Sequence, residues 1–164
     1  MGKLRNELES VCWMALLLEG YLTWEALSGP HRLPEKIAVH FDHLGQPNGW
    51  GSSGSLLVMP LMALFIYVVM TGAGVVVARN PELISCPVPI TDENRDRIQA
   101  LTQRLLLWIK TEIVCLFGWV LWVMIQGARG QMVAYSTFNR VTLSLIALFF
   151  VTIGGHIVAM YRAR

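Results

Sequence analysis

Charge is the first thing this chain is short of. Only 15% of its 164 residues are Asp, Glu, Lys or Arg, against about 25% in a soluble domain that must wet its own surface. The 13 basic and 11 acidic side chains nearly cancel, to a net +2. No basic face follows from that balance, so nucleic acid is not expected as a partner. An apolar content of 54% excludes a disordered chain. Cysteine is scarce too. Cys12, Cys86 and Cys115 stand far apart, without the number or spacing of a disulfide scaffold or a thiolate metal site. Catalytic signatures are missing: there is no Gly-x-Ser-x-Gly, no His-Glu-x-x-His, no phosphate loop and no dinucleotide fingerprint. Neither an enzyme, a catalytic residue nor a cofactor is expected.

What remains is apolar and arranged in long runs. A membrane span needs about 20 mostly apolar residues to cross roughly 30 Å of hydrocarbon. Residues 56–78, 105–126 and 141–161 meet this. Residues 4–27 are interrupted by Glu7, Glu9, Glu19 and Glu25. The short apolar stretch 11–18 after Lys3 and Arg5 invites a reading as a secretory leader. The glutamates on both sides of it, and the poor small-residue site around Ala26, Leu27 and Ser28, argue against that. With Trp13 and Trp24 near its ends, the segment reads as a spanning helix whose Glu19 faces protein.

The expected fold is therefore an all-α integral membrane protein, one domain over residues 1–164, with four transmembrane helices. Lys and Arg set its direction. Lys3, Arg5, Arg79, Arg95, Arg97, Arg104, Arg162 and Arg164 lie on one side, against Arg32, Lys36, Arg129 and Arg140 on the other. Both termini and the inner loop 79–103 are then cytoplasmic. The outer loop 28–54 is extracytoplasmic, and its glycines and prolines mark it as structured. Residues 37–41 suit a short strand, and Asn48-Gly49 a tight turn. In the inner loop Thr91 is the expected N-cap of a helix that runs to about Gln126, with Asp92 and Glu93 in its first turn. That length exceeds a bilayer, so residues 92–103 should stand in the cytoplasm.

Both loops carry a resemblance. The outer loop holds Leu33-Pro34, then His40-Phe41-Asp42-His43, Gly45, Pro47, Asn48-Gly49 and Ser52-Ser53; the inner loop holds Thr91-Asp92-Glu93-Asn94-Arg95. Over roughly residues 10–130 this resembles the SdpI-like family of bacterial membrane proteins, with its N-terminal domain of unknown function. Asp42, Asn48 and Ser53 stand where the family usually has Asn, Asp and Lys, and Lys110 where it often has lysine. The resemblance implies a multi-pass protein of the bacterial plasma membrane. It marks Pro34, His40, Phe41, Asp42, His43, Gly45 and Gly49 outside, and Thr91, Glu93, Asn94 and Arg95 inside. It further implies immunity to a secreted killing peptide, with signalling by holding a repressor at the membrane.

The polar residues support a second possibility. His31, His40, Asp42 and His43 are a metal-like set, with Glu25 as an added ligand, although a structural role for His40 at the centre of its loop weighs more and no bound metal is expected. Phe41 should turn into the mouth of the bundle. Inside the membrane, ionisable residues are costly and face protein, water or each other. Lys110 and Glu112, two positions apart, point roughly 200° apart around a helix. Lys110 can snorkel to headgroups. Glu112 belongs to a stripe with Trp108, Cys115, Trp119, Trp122 and Gln126 that should face the bundle, with His156 as its partner. Glu19 lies in the other half of the membrane, and Gly72 and Gly74 permit close helix approach. Glu19, Glu112 and His156 thus leave open an accessory subunit of a larger membrane complex, or an ion- or proton-handling protein. Expected partners are the lipid bilayer and either other membrane subunits or an external peptide.

Overall fold

The structure, a computed structural model, describes residues 2–42, 46–131 and 134–163. Its helices are α1 (Gly2–Ser28), α2 (Val58–Arg79), α3 (Arg95–Ala128) and α4 (Tyr135–Arg162). A hairpin of β1 (Lys36–Phe41) and β2 (Pro47–Ser52) stands between α1 and α2. Among the described residues three stretches are long and apolar enough to cross a membrane: Ser53–Arg79, Arg95–Ala128 and Ser136–Arg162. The protein is a multi-pass membrane protein. Its α2 and α4 expose broad apolar faces, with Leu61, Phe65 and Val68 on one and Leu143, Phe150 and Val151 on the other. Hydrocarbon tolerates such faces, and it enforces helix because every backbone group must be bonded within the segment.

The axis of the bundle is α3. The other three helices pack on it, while α1 and α2 touch one another only lightly. Cross-contacts fix the directions. Glu9 meets Lys110, Cys12 meets Thr111 and Glu25 meets Arg129, so α1 runs parallel to α3. In contrast, α2 and α4 run against it. Gln99 Nε2 donates to the Val77 and Ala78 carbonyls at 3.1 and 3.0 Å, and Trp119 Nε1 donates to Thr142 Oγ1 at 3.1 Å. The first helix is inside-out in polarity. Leu8, Cys12, Glu19, Thr23 and Ala26 are its buried residues, whereas Trp13, Leu17, Tyr21 and Trp24 are exposed.

Two apolar clusters close the ends. At the hairpin end Ala26, Leu33, Ile37, Leu56, Leu121 and Ile125 form one cluster. Ile37 is only 1% exposed, and burying such a side chain contributes about 2 kcal/mol. The hairpin is therefore seated on α1 and α3. The Ser53 N–H donates to the Glu35 carbonyl at 2.8 Å and ties its base. At the opposite end Val88, Ile98, Met160 and Ala163 form the second cluster, with Ile84 and Ile90 against it. The segment between α2 and α3 thus folds onto the start of α3 and the end of α4.

Three local expectations change. Asn48 and Gly49 lie inside β2, not in the turn. The strands are closed instead between Asp42 and Gln46, where the Asp42 N–H donates to the Gln46 carbonyl and the Gln46 N–H to Asp42 Oδ1, both at 2.9 Å. Gly49 is required by pairing with His40, since a Cβ there would sit 2.8 Å from His40 Cβ. The third helix starts at Arg95, and Thr91 is not its N-cap. The reason is Asn94, whose Oδ1 accepts from the Thr91 N–H at 2.8 Å and whose Nδ2 donates to the Pro89 carbonyl at 3.1 Å. That two-ended bond fixes the loop before the helix begins. Gly72 and Gly74 do not bring helices together, because a Cβ at either would meet nothing within 4 Å.

Candidate functional site

Polar side chains gather in four places, three of them on the inward faces of the helices. The densest lies near the N-terminal end of α1. Lys110 Nζ donates to Glu9 Oε1 at 2.6 Å and to Thr71 Oγ1 at 3.1 Å, and it lies 4.6 Å from the centre of the Tyr67 ring. The Tyr67 hydroxyl donates to Glu9 Oε2 at 3.0 Å. Trp13 tilts against Tyr67 with 5.2 Å between ring centres. The Lys110 side chain is 3% exposed, so it does not snorkel to the surface as expected. It is satisfied internally by a carboxylate, a hydroxyl and an aromatic face, which together replace water. A cavity of about 630 Å³ opens beside this pair between α1, α2 and α3.

The second place is the middle of the α1–α3 seam. Glu19 is 1% exposed, and neither carboxyl oxygen has a hydrogen-bond partner among the described residues. The Thr23 hydroxyl is also unsatisfied. Gly118 is what admits the side chain: a Cβ there would stand 3.2 Å from Glu19 Oε1. Gly118 is six positions beyond Glu112, about 9 Å along the helix, so Glu19 keeps its expected separation from Glu112.

The third place joins α3 to α4. Glu112 Oε1 accepts from the Thr152 hydroxyl at 2.6 Å, while Oε2 has no partner among the described residues. His156 does not bond Glu112, contrary to expectation. Its Nδ1 donates to the Thr152 carbonyl at 2.8 Å, one turn back on the same helix. Thr152 therefore links the two, because it offers a hydroxyl sideways and a carbonyl along the helix. Of the expected stripe, Glu112 is buried and Trp119 bonds α4, but Trp122 is 37% exposed and stacks on Trp119 instead, at 5.3 Å.

The fourth place is the hairpin. His40 is exposed, not a buried centre; its Nδ1 pairs with Asn48 Oδ1 across the strands. The buried centre is Ile37 with Ala38. Pro34 is exposed beside buried Leu33. His43 and Gly45 lie outside the described residues, as does the side chain of Phe41. Among the described residues no group of three or more His, Cys, Asp or Glu could hold a metal, so His31, His40 and Asp42 are not brought together. Glu25 instead accepts from Arg129 at 2.7 Å and clamps the hairpin ends of α1 and α3. Of the inner motif, Asn94 is buried, Arg95 pairs with Asp92 at 3.0 Å, and Thr91 and Glu93 are exposed.

Reading the sequence missed Glu9, Tyr67, Thr71 and Thr152. One signal pointed to Glu9. If both ends are expected on one side, the first and third spans are expected to be parallel, and Lys110, about 9 Å into its span, needs an anion at equal depth.

Residues 25–64 match the domain of unknown function DUF1648, a family associated with membrane proteins. The match covers the end of α1, the whole hairpin and the first turns of α2. No curated protein and no solved structure matches the chain.

Proposed function

We propose that this chain is a non-enzymatic, four-span protein of the bacterial plasma membrane, similar to SdpI-type immunity and signalling proteins. In this reading α1 also crosses the bilayer, both ends are cytoplasmic, and the hairpin meets an external agent such as a secreted peptide. The observation that carries it is the seating of the DUF1648 segment on the central helix. Ile37 is buried in one cluster with Leu121 and Ile125 of α3, and the other end of α3 places Ile98 among loop residues and the end of α4. A load on the hairpin then bears on a continuous helix of 34 residues, about 51 Å at 1.5 Å each. The inner contact is the segment around Asn94.

Orientation is tested by membrane-impermeant thiol labelling of intact cells, comparing native Cys86 with Trp50→Cys in otherwise cysteine-free chains. Labelling at 50 alone is expected, and labelling at 86 alone inverts the topology. Function is tested by survival of cells expressing the wild type or Trp50→Ala when challenged with supernatants of peptide-secreting bacteria. Trp50 is 59% exposed on the hairpin. Protection lost in the variant supports the reading; equal survival with and without the protein across the panel overturns it.

A second reading, an ion- or proton-handling protein or a subunit of a membrane complex, is favoured by Glu19, without a hydrogen-bond partner among the described residues, and by Glu112 linked through Thr152 to His156. A stoichiometric partner retained in mild detergent, or proton flux in vesicles abolished by Glu19→Gln, would support it over the first.

A further inference from the structure

The cavity beside the Glu9–Lys110 pair has no part in the hairpin reading, and its lining has an uneven charge. Three cations border it, Arg5, Arg104 and Lys110, against one carboxylate, Glu9. Lys110 and Glu9 neutralise each other. Arg5 and Arg104 are exposed and have no ion-pair partner among the described residues. They come from the starts of the α1 and α3 spans, so two free guanidinium groups stand at one rim. From that rim the wall descends over Val75, Leu106 and Leu107 to the Lys110 level, six residues or about 9 Å deeper along α3. Gly74 leaves open space in the wall, and α1 packs only lightly on α2, the two helices that flank the cavity opposite α3. Its volume of about 630 Å³ falls within the roughly 300–1,000 Å³ usual for ligand pockets.

We propose that this cavity binds an anionic phospholipid, with the phosphate between Arg5 and Arg104 and an acyl chain along Val75, Leu106 and Leu107. Guanidinium groups suit phosphate because their paired N–H donors match two of its oxygens. Basic pockets between spanning helices at the membrane surface hold anionic headgroups on the same principle. A free phosphate would use the rim but has no need of the apolar wall. That distinguishes the lipid from a soluble anion.

The test is thermal unfolding of the full chain in mild detergent with added phosphatidylglycerol, phosphatidylcholine or inorganic phosphate. At ten times the dissociation constant, phosphatidylglycerol should raise the midpoint by roughly 3–5 °C over phosphatidylcholine. Arg5→Gln/Arg104→Gln should remove the difference, since both side chains are exposed and structurally idle. Gly74→Leu, whose Cβ would meet nothing within 4 Å and whose side chain would occupy the cavity, should remove it as well. An equal rise with phosphatidylcholine overturns the proposal. So does a rise that survives either variant, or one reproduced by inorganic phosphate alone. None of these results bears on the hairpin.

Discussion

The Lys110 pair gives an asymmetric expectation. Glu9→Gln keeps the shape and an acceptor for Lys110 but removes the counter-charge. The ammonium, 3% exposed, is then left with neutral partners alone: the amide oxygen, Thr71 at 3.1 Å and the Tyr67 ring at 4.6 Å. Breaking a fully buried pair costs about 3–5 kcal/mol. Here Glu9 is 28% exposed beside a cavity, so water softens the loss to about 2–3 kcal/mol. At roughly 2–4 °C per kcal/mol for a chain of this size, the midpoint should fall by about 4–12 °C. Lys110→Met should cost less, about 1 kcal/mol, because the partly exposed Glu9 can turn to cavity water while Met fills the space. The double variant should lose less than the two single losses together, by about 1–3 kcal/mol. The assay is unfolding followed by tryptophan fluorescence in one detergent at one scan rate, with helix content checked by circular dichroism. Additive losses, or a Lys110→Met variant weaker than Glu9→Gln, would refute the reasoning.

Four further outcomes follow from other contacts. Glu19→Met should raise the midpoint, because it removes a buried carboxyl without partners whose burial costs about 1–3 kcal/mol; a fall would show that the carboxyl is bonded after all. Gly49→Ala should speed protease cleavage of the hairpin more than tenfold, since its Cβ would lie 2.8 Å from His40 Cβ and forcing the strands apart costs more than about 1.4 kcal/mol. His40→Ala, which loses one exposed bond worth about 1 kcal/mol or less, should speed it about fivefold at most, and the reverse order would return His40 to the centre of the loop. Arg129→Gln should cost about 1 kcal/mol or less and the difference should fade in high salt, because the Glu25–Arg129 pair is partly exposed; a loss insensitive to salt would contradict the assignment as an ion pair.

Three spans were legible because each is a long run of one kind: 56–78, 105–126 and 141–161 fall within the three stretches long and apolar enough to cross a membrane. The hairpin was half legible. Alternation around Ile37 marked β1, but Asn48-Gly49 pointed to a turn that lies elsewhere, since a glycine demanded by cross-strand approach looks the same as one demanded by a turn. His40 drew attention by its chemistry, while the hairpin is held by the plain side chain of Ile37. Contacts between spans were the least legible. Thr152 and Tyr67 carry no signal of their own, and a hydroxyl becomes a partner only once helix directions and depths bring it to a carboxylate.

Those directions give the seam between α1 and α3 its meaning. Within a membrane, apolar side chains do not favour one helix pairing over another, because lipid is equally apolar. Register must come from groups that lose by moving. The bonds Glu9–Lys110, Cys12–Thr111 and Glu25–Arg129 join residues 101, 99 and 104 positions apart. They are three contacts of one parallel alignment. A slip of one turn would leave Lys110 facing a neighbour of Glu9 without its charge, and would part Glu25 from Arg129 as well. Glu19 lies on the same seam but contributes nothing to that register, since it faces Gly118 and no donor among the described residues. Glu19 and Thr23 are the buried polar groups of this seam without a hydrogen-bond partner among the described residues, and of the two only the carboxyl can carry charge, so the ion-handling reading is tested first at Glu19.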